Sequence, residues 1–114
     1  MMNKEQIVTA LSALAQETRL DIFRYLVQIG ADGIPAGQIA DYLGLPAATL
    51  SFHLKTLKHA GLIDFRRDGR SLIYRANFEN MKILLSYLTQ NCCSDEINFS
   101  FYGSGGEPSL AIAK

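Results

Sequence analysis

A mainly α-helical domain carrying one β-hairpin, an α+β class in the order α-α-α-α-β-β-α, is the fold this chain of 114 residues predicts. Three observations carry that expectation. Leu50, Leu54 and Leu57 recur at i, i+4 and i+7 between Pro46 and Gly61, the spacing of one buried helical stripe with a proline start and a glycine stop. Asp68-Gly69 joins two strand-like runs, Leu62 to Arg67 and Ser71 to Arg75, as a tight hairpin does. Only a Gly44-Leu45 step separates the helix at 46–60 from a shorter one at 35–43, and so short a link between two helices is the helix-turn-helix signature. With the hairpin behind the second helix, the expected architecture is a winged helix-turn-helix.

The other elements follow from the same cues. Residues 4 to 15 place Ile7, Leu11 and Leu14 at helical spacing. A second helix begins near Thr18, carries Leu20, Phe23, Leu26 and Val27 on one side, and stops at Gly30. Ala31-Asp32-Gly33 is a turn. Pro35 suits the start of the short third helix, which buries Ile39 and Leu43. A last helix over 78–92 sets Met81, Leu85, Leu88 and Cys92 on one stripe. Residues 1–93 read as one folded unit. Residues 94–114 read as a flexible C-terminal tail, where Gly103-Ser104-Gly105-Gly106 and Glu107-Pro108 disfavour regular structure.

Hydrophobic content of 48% suits one globular domain with a modest core. No apolar run approaches the roughly 18 to 20 residues of a membrane span, and the N-terminus lacks a signal-peptide core. The expected location is the cytoplasm. The net charge is zero, but it is unevenly spread. Residues 45–76 hold six basic side chains against two acidic ones, a net of +4, so the remainder carries −4. A basic segment on an otherwise acidic chain gives both a footprint for nucleic acid and an orientation on it.

The helix at 46–60 has what a reading helix needs: a buried stripe and an opposite face whose groups reach base edges and phosphates. Thr49, Ser51, Phe52, His53 and Lys55 fall in its groove-entering half, and Lys58 lies further back, where phosphate is the expected contact. Ala47 and Ala48 are small enough for close approach. Arg66, Arg67 and Arg70 surround the hairpin turn, and guanidinium groups suit phosphate forks and narrow minor grooves. Enzyme chemistry finds no footing. His53 has no acidic or thiol partner at helical spacing, and there is no phosphate loop, nucleophile–base pair or patterned carboxylate pair.

Both cysteines lie in one dipeptide, Cys92-Cys93. A disulfide between neighbours closes a strained small ring, so in a reducing compartment two free thiols are expected. Thiolates are soft ligands and suit thiophilic centres. Adjacent residues of a regular helix point about 100° apart, so both sulfurs meet on one atom only where the helix ends.

From Ile7 to about Asn91 the sequence resembles the ArsR/SmtB family of winged-helix repressors. Ala13-Leu14-Ala15-Gln16-Glu17-Thr18-Arg19-Leu20-Asp21-Ile22 looks like the family's LA-x-x-x-R-L-x-I segment. Leu50-Ser51-Phe52-His53-Leu54-Lys55-Thr56-Leu57 looks like its V-S-x-H-L-x-x-L recognition helix, and Gly61-Leu62-Ile63 with Gly69-Arg70 looks like its helix exit and wing. The resemblance implies a homodimer, paired through the first and last helices, on a palindromic double-stranded operator. Pro35 and Gly37 stand where many relatives carry a C-V-C-type metal site, and residues 78–91 hold Glu79 but no histidine, so neither of the family's common metal sites is expected. Tyr87 to Cys93 resembles instead an arsenic-responsive subgroup with adjacent cysteines. That likeness implies trivalent arsenic, arsenite or methylarsenite, as inducer at Cys92 and Cys93, with no cofactor required. Two sulfurs satisfy a methylated arsenical better than arsenite, which wants three ligands. A thiol-based sensor of oxidant or reactive sulfur on the same fold is an alternative, and a winged-helix protein-interaction module is a weaker one.

Overall fold

The computed structural model describes residues 2–92. Helix α1 (Lys4–Leu14) starts with a reciprocal cap: Asn3 Oδ1 accepts from the Gln6 amide, and Gln6 Oε1 accepts from the Asn3 amide, both at 2.8 Å. Helix α2 (Glu17–Ile29) follows after two residues, capped by the Gln16 side chain on the Arg19 amide. Strand β1 (Ile34–Pro35), helix α3 (Ala36–Leu43), helix α4 (Ala47–His59), strands β2 (Ile63–Asp68) and β3 (Ser71–Ala76), and helix α5 (Phe78–Thr89) complete the described chain.

The sheet is antiparallel in the order β1-β3-β2, with Ile34 opposite Tyr74 and Ile63 opposite Ala76. Helix α2 packs against α1, α4 and β3, and the core closes around it through Ile7, Ile22, Leu26, Ile39, Leu57, Leu62 and Ile63. Two glycines set the geometry. Gly33 has φ +77, and a Cβ there would lie 2.6 Å from the Tyr74 carbonyl oxygen, so the turn before β1 presses on β3. Gly44 ends α3 at φ 66, and its amide and that of Leu45 both donate to the Ala40 carbonyl. That left-handed stop turns the chain directly into α4.

The winged helix-turn-helix and the Leu50-Leu54-Leu57 stripe stand as expected, and several details differ, among them Leu43 of α3, which is only half-buried. The sequence reading omits β1, whose two residues carry no period of their own. Pro46 is the cap of α4 rather than its first helical residue. In the hairpin Asp68 still pairs with Ser71, so the loop is Gly69-Arg70, with Gly69 at φ 66. The stripes of the outer helices are rotated. Helix α1 buries Ile7, Ala10 and Ala13 while Leu11 is exposed. Helix α5 buries Leu84, whereas Leu85 and Leu88 are 52% and 53% exposed, and the helix ends at Thr89 rather than 92. The expected tail, 94–114, lies outside the described residues.

Candidate nucleic-acid interface

Helix α4 divides cleanly into two faces. Leu50, Leu54 and Leu57 are buried, while Ala47, Ala48, Thr49, Ser51, Phe52, Lys55, Lys58 and His59 are exposed. Its amino end carries exposed Pro46 and Ala47, and the cap residue, a proline, offers no side-chain hydrogen bond to the first amides. Unpaired amides at a helix start favour an anion such as phosphate. Thr49, Ser51, Phe52 and Lys55 thus lie together on the accessible surface.

His53 is placed differently. It is half-buried, and its Nδ1 accepts from Arg19 Nη1 at 3.4 Å. Arg19 is itself fixed, with Nε donating to the Ala13 carbonyl at 2.7 Å. Because guanidinium only donates, this contact leaves the imidazole proton on Nε2. Burial first, and the Arg19 charge second, hold the His53 pKa below its usual value. His53 is therefore a neutral side chain seated between α2 and α4. Sequence reasoning missed Arg19. One signal was available: a cation in the first turn of a helix opposes the helix dipole and needs another reason to be there.

The wing sorts its cations. Arg75 Nε donates to Asp64 Oδ1 at 3.0 Å across the register pair, so these two residues neutralise each other. Arg66, Arg67 and Arg70 are exposed. Lys58 is not wholly free: its Nζ lies 5.2 Å from the centre of the Phe65 ring, which packs in turn against Tyr74 at 5.4 Å. This cation–π contact joins the last turn of α4 to the wing. The exit of α4 is tied further by Asn80 Nδ2, which donates to the Gly61 carbonyl at 2.9 Å, and by the Asn77 amide, which donates to the Leu62 carbonyl at 2.8 Å.

At the other end of α5 the chain leaves helical geometry before the cysteines. Gln90 is extended at ψ 132, Asn91 has φ 60, and the Cys92 amide donates to the Thr89 carbonyl at 3.0 Å. Cys92 is half-buried and disulfide-bonded, not the free thiol expected. Cys93 lies outside the described residues. Among the described residues no three His, Cys, Asp or Glu side chains cluster as a metal site.

The family described as a helix-turn-helix domain matches residues 14–64, which span α2 to α4. The chain is 32% identical over 89 residues to the HTH-type transcriptional regulator YgaV of Escherichia coli, covering 78% of this chain and 88% of YgaV. It is 28% identical to the transcriptional activator HlyU of Vibrio cholerae, over 80% of this chain and 82% of HlyU. It is 37% identical to the cadmium resistance transcriptional regulatory protein CadC of Listeria innocua, over 62% of this chain and 56% of CadC. Among solved structures, an ArsR-like transcriptional regulator from Rhodococcus sp. RHA1 superposes with a TM-score of 0.66 at 25% identity, covering 75% of this chain and 78% of that one. The homodimeric winged helix-turn-helix DNA-binding domain of Mb0332 from Mycobacterium bovis, a possible ArsR-family regulator, gives 0.63 at 32%, covering 75% and 76%. Fold, motif and relatives agree: the chain belongs to the ArsR/SmtB family of winged helix-turn-helix, DNA-binding transcriptional regulators, and is not an enzyme.

Proposed function

We propose that the protein is a cytoplasmic homodimeric repressor that grips a palindromic operator and releases it when trivalent arsenic binds Cys92 and Cys93. The observation that carries the DNA-binding half is the joint exposure of the α4 face and of Arg66, Arg67 and Arg70, on a chain whose remainder is net negative. Thr49, Ser51, Phe52, His53 and Lys55 serve the major groove, with His53 acting from its seat on Arg19. Lys58 and the wing arginines serve the backbone and the neighbouring minor groove. Two such heads sit about 34 Å apart, one turn of DNA. Exposed Val8 and Leu11 on α1, with Leu85 and Leu88 on α5, supply the apolar surface for pairing, and Mb0332 is a homodimer of the same fold. Among the described residues, no helix is long and apolar enough to cross a membrane.

The inducer site draws support from chain geometry. Helix α5 ends at Thr89 and the backbone turns through the left-handed region at Asn91, so the regular 100° step between neighbours no longer applies at Cys92. Two thiolates with a methyl group in the third position suit methylarsenite better than arsenite. Release requires that the arsenical bind the DNA-free form more tightly. A second reading, sensing of oxidant or reactive sulfur, has one observation in its favour: Cys92 is disulfide-bonded. Forming such a bond takes two electrons and two protons from two thiols to an oxidant such as peroxide.

The test is fluorescence anisotropy of the reduced protein on labelled DNA from its own upstream region. Release by methylarsenite at lower concentration than by arsenite, lost in Cys92→Ser and in Cys93→Ser, supports the arsenical reading. Release by peroxide, restored by reductant, with indifference to both arsenicals replaces it with the redox reading. A reporter driven by the same DNA, silenced by the protein, distinguishes repression from activation.

A further inference from the structure

The outward face of α4 is apolar where a reading helix is usually polar. Opposite the Leu50-Leu54-Leu57 stripe, helical geometry projects Ala48, Phe52, Lys55 and His59. Lys55 and His59 lie in its second half. Over the first two turns the centre of that face is Ala48 and Phe52, with Thr49 and Ser51 at its sides. Phe52 is 64% exposed, in a helix whose other large apolar side chains are buried. Its ring meets the His53 imidazole edge-on, with centroids 5.8 Å apart and planes at 64°. That imidazole is in turn held by Arg19. The phenyl group is thus buttressed from behind and open in front.

Resting on the DNA-binding reading above, we infer that Phe52 is a specificity residue that selects a thymine in each half-site by contact with its 5-methyl group. In the major groove the thymine methyl is the one apolar feature that a base edge presents, and a phenyl ring can neither donate nor accept for the polar ones. Ala48, one turn earlier, leaves room for the base pair to approach the helix. Basic groups flank this apolar centre: Lys55 on the same face, and the wing arginines beyond it. The flanking charges supply affinity on any sequence, whereas the ring discriminates a methylated pyrimidine from an unmethylated one.

Deoxyuridine removes that methyl and nothing else. The full chain selects its site from a random duplex pool, and each thymine of that site is then replaced singly by deoxyuridine. Wild type is expected to lose about fourfold in affinity at one position of a half-site, the worth of one buried methyl, and about fifteenfold when both half-sites are changed. Phe52→Ala is expected to bind thymine and uracil sites equally, with an unchanged salt slope. Because the side chain is exposed, the variant's thermal unfolding should match wild type, and Phe52→Leu should restore part of the discrimination. Equal wild-type binding to thymine and uracil at every position overturns the inference alone. So does a Phe52→Ala protein that still prefers thymine. Absence of salt-dependent binding to any duplex overturns the DNA-binding reading, and the inference with it.

Discussion

Substituting Arg70 by alanine should remove one guanidinium from each wing of a dimer and leave the fold intact, because Arg70 is exposed in the hairpin loop. A protein that neutralises phosphates loses affinity with salt at about 0.9 logarithmic units per phosphate. Two lost contacts should therefore lower the slope by about 1.8. Between about 50 and 200 mM salt the variant should lose roughly twelvefold less affinity than wild type. The structure supplies an internal control in the same hairpin. Arg75 is bonded to Asp64 at 3.0 Å, so Arg75→Ala should leave the slope near the wild-type value. Joint replacement of Arg66, Arg67 and Arg70 should lower it by at most about 5. Anisotropy titrations at five salt concentrations measure all four proteins. An unchanged slope in Arg70→Ala, or an equal fall in Arg75→Ala, would refute the division of the wing into paired and free cations.

Three further outcomes follow. Leu88→Glu should leave the helical circular dichroism unchanged and halve the sedimentation mass at micromolar concentration, because Leu88 is 53% exposed in the single chain and contributes little to its core. Gly33→Ala should destabilise by about 2 kcal/mol or more in urea, since φ +77 resists a side chain and the added carbon meets the Tyr74 carbonyl. Gly44→Ala, with the same backbone strain but open space, should cost only about 1 kcal/mol. The depressed His53 pKa gives a pH signature. The unfolded chain takes up that proton first as pH falls through about 6.5, so stability is full above this value. It declines below, and the loss levels off once pH passes the lower folded pKa. His53→Asn should flatten that part of the stability curve, and NMR titration of Arg19→Met should show the His53 pKa moving upward.

What could be read from the sequence was what each segment decides for itself. The α4 stripe was legible because Leu50, Leu54 and Leu57 are the leucines of a helix whose other positions, Phe52 apart, are polar or small. The hairpin was legible because Asp68-Gly69-Arg70 admits few backbone courses. Helices α1 and α5 each carry two apolar stripes, and periodicity cannot say which one meets the chain's own core. It therefore favoured Leu11, Leu85 and Leu88 over Ala10, Ala13 and Leu84. Strand β1 was illegible because its pairing partner lies 40 residues away, at Tyr74 for Ile34. The exposure of Thr49, Ser51, Lys55, Arg66, Arg67 and Arg70 could be read in advance because solvated polar positions on a known face need no partner. His53 could be named, but its seat against Arg19 depends on how α2 crosses α4.

Among the described residues, the order β1-β3-β2 leaves β2 with one unpaired side. β1 covers the far side of β3, so β2 is the longer border open to another chain. An open border of backbone amides and carbonyls invites strand addition and aggregation, and charged side chains are a common protection against it. Here Asp64, Arg66, Arg67 and Asp68 fill four of the six positions of β2. The arginines proposed to meet DNA are thus also the charges that line this border. Neutralising the wing should therefore favour self-association as well as weaken the proposed phosphate contacts. A wing variant that precipitates has lost border protection, and its binding should be compared with wild type only after light scattering shows a single dimeric species.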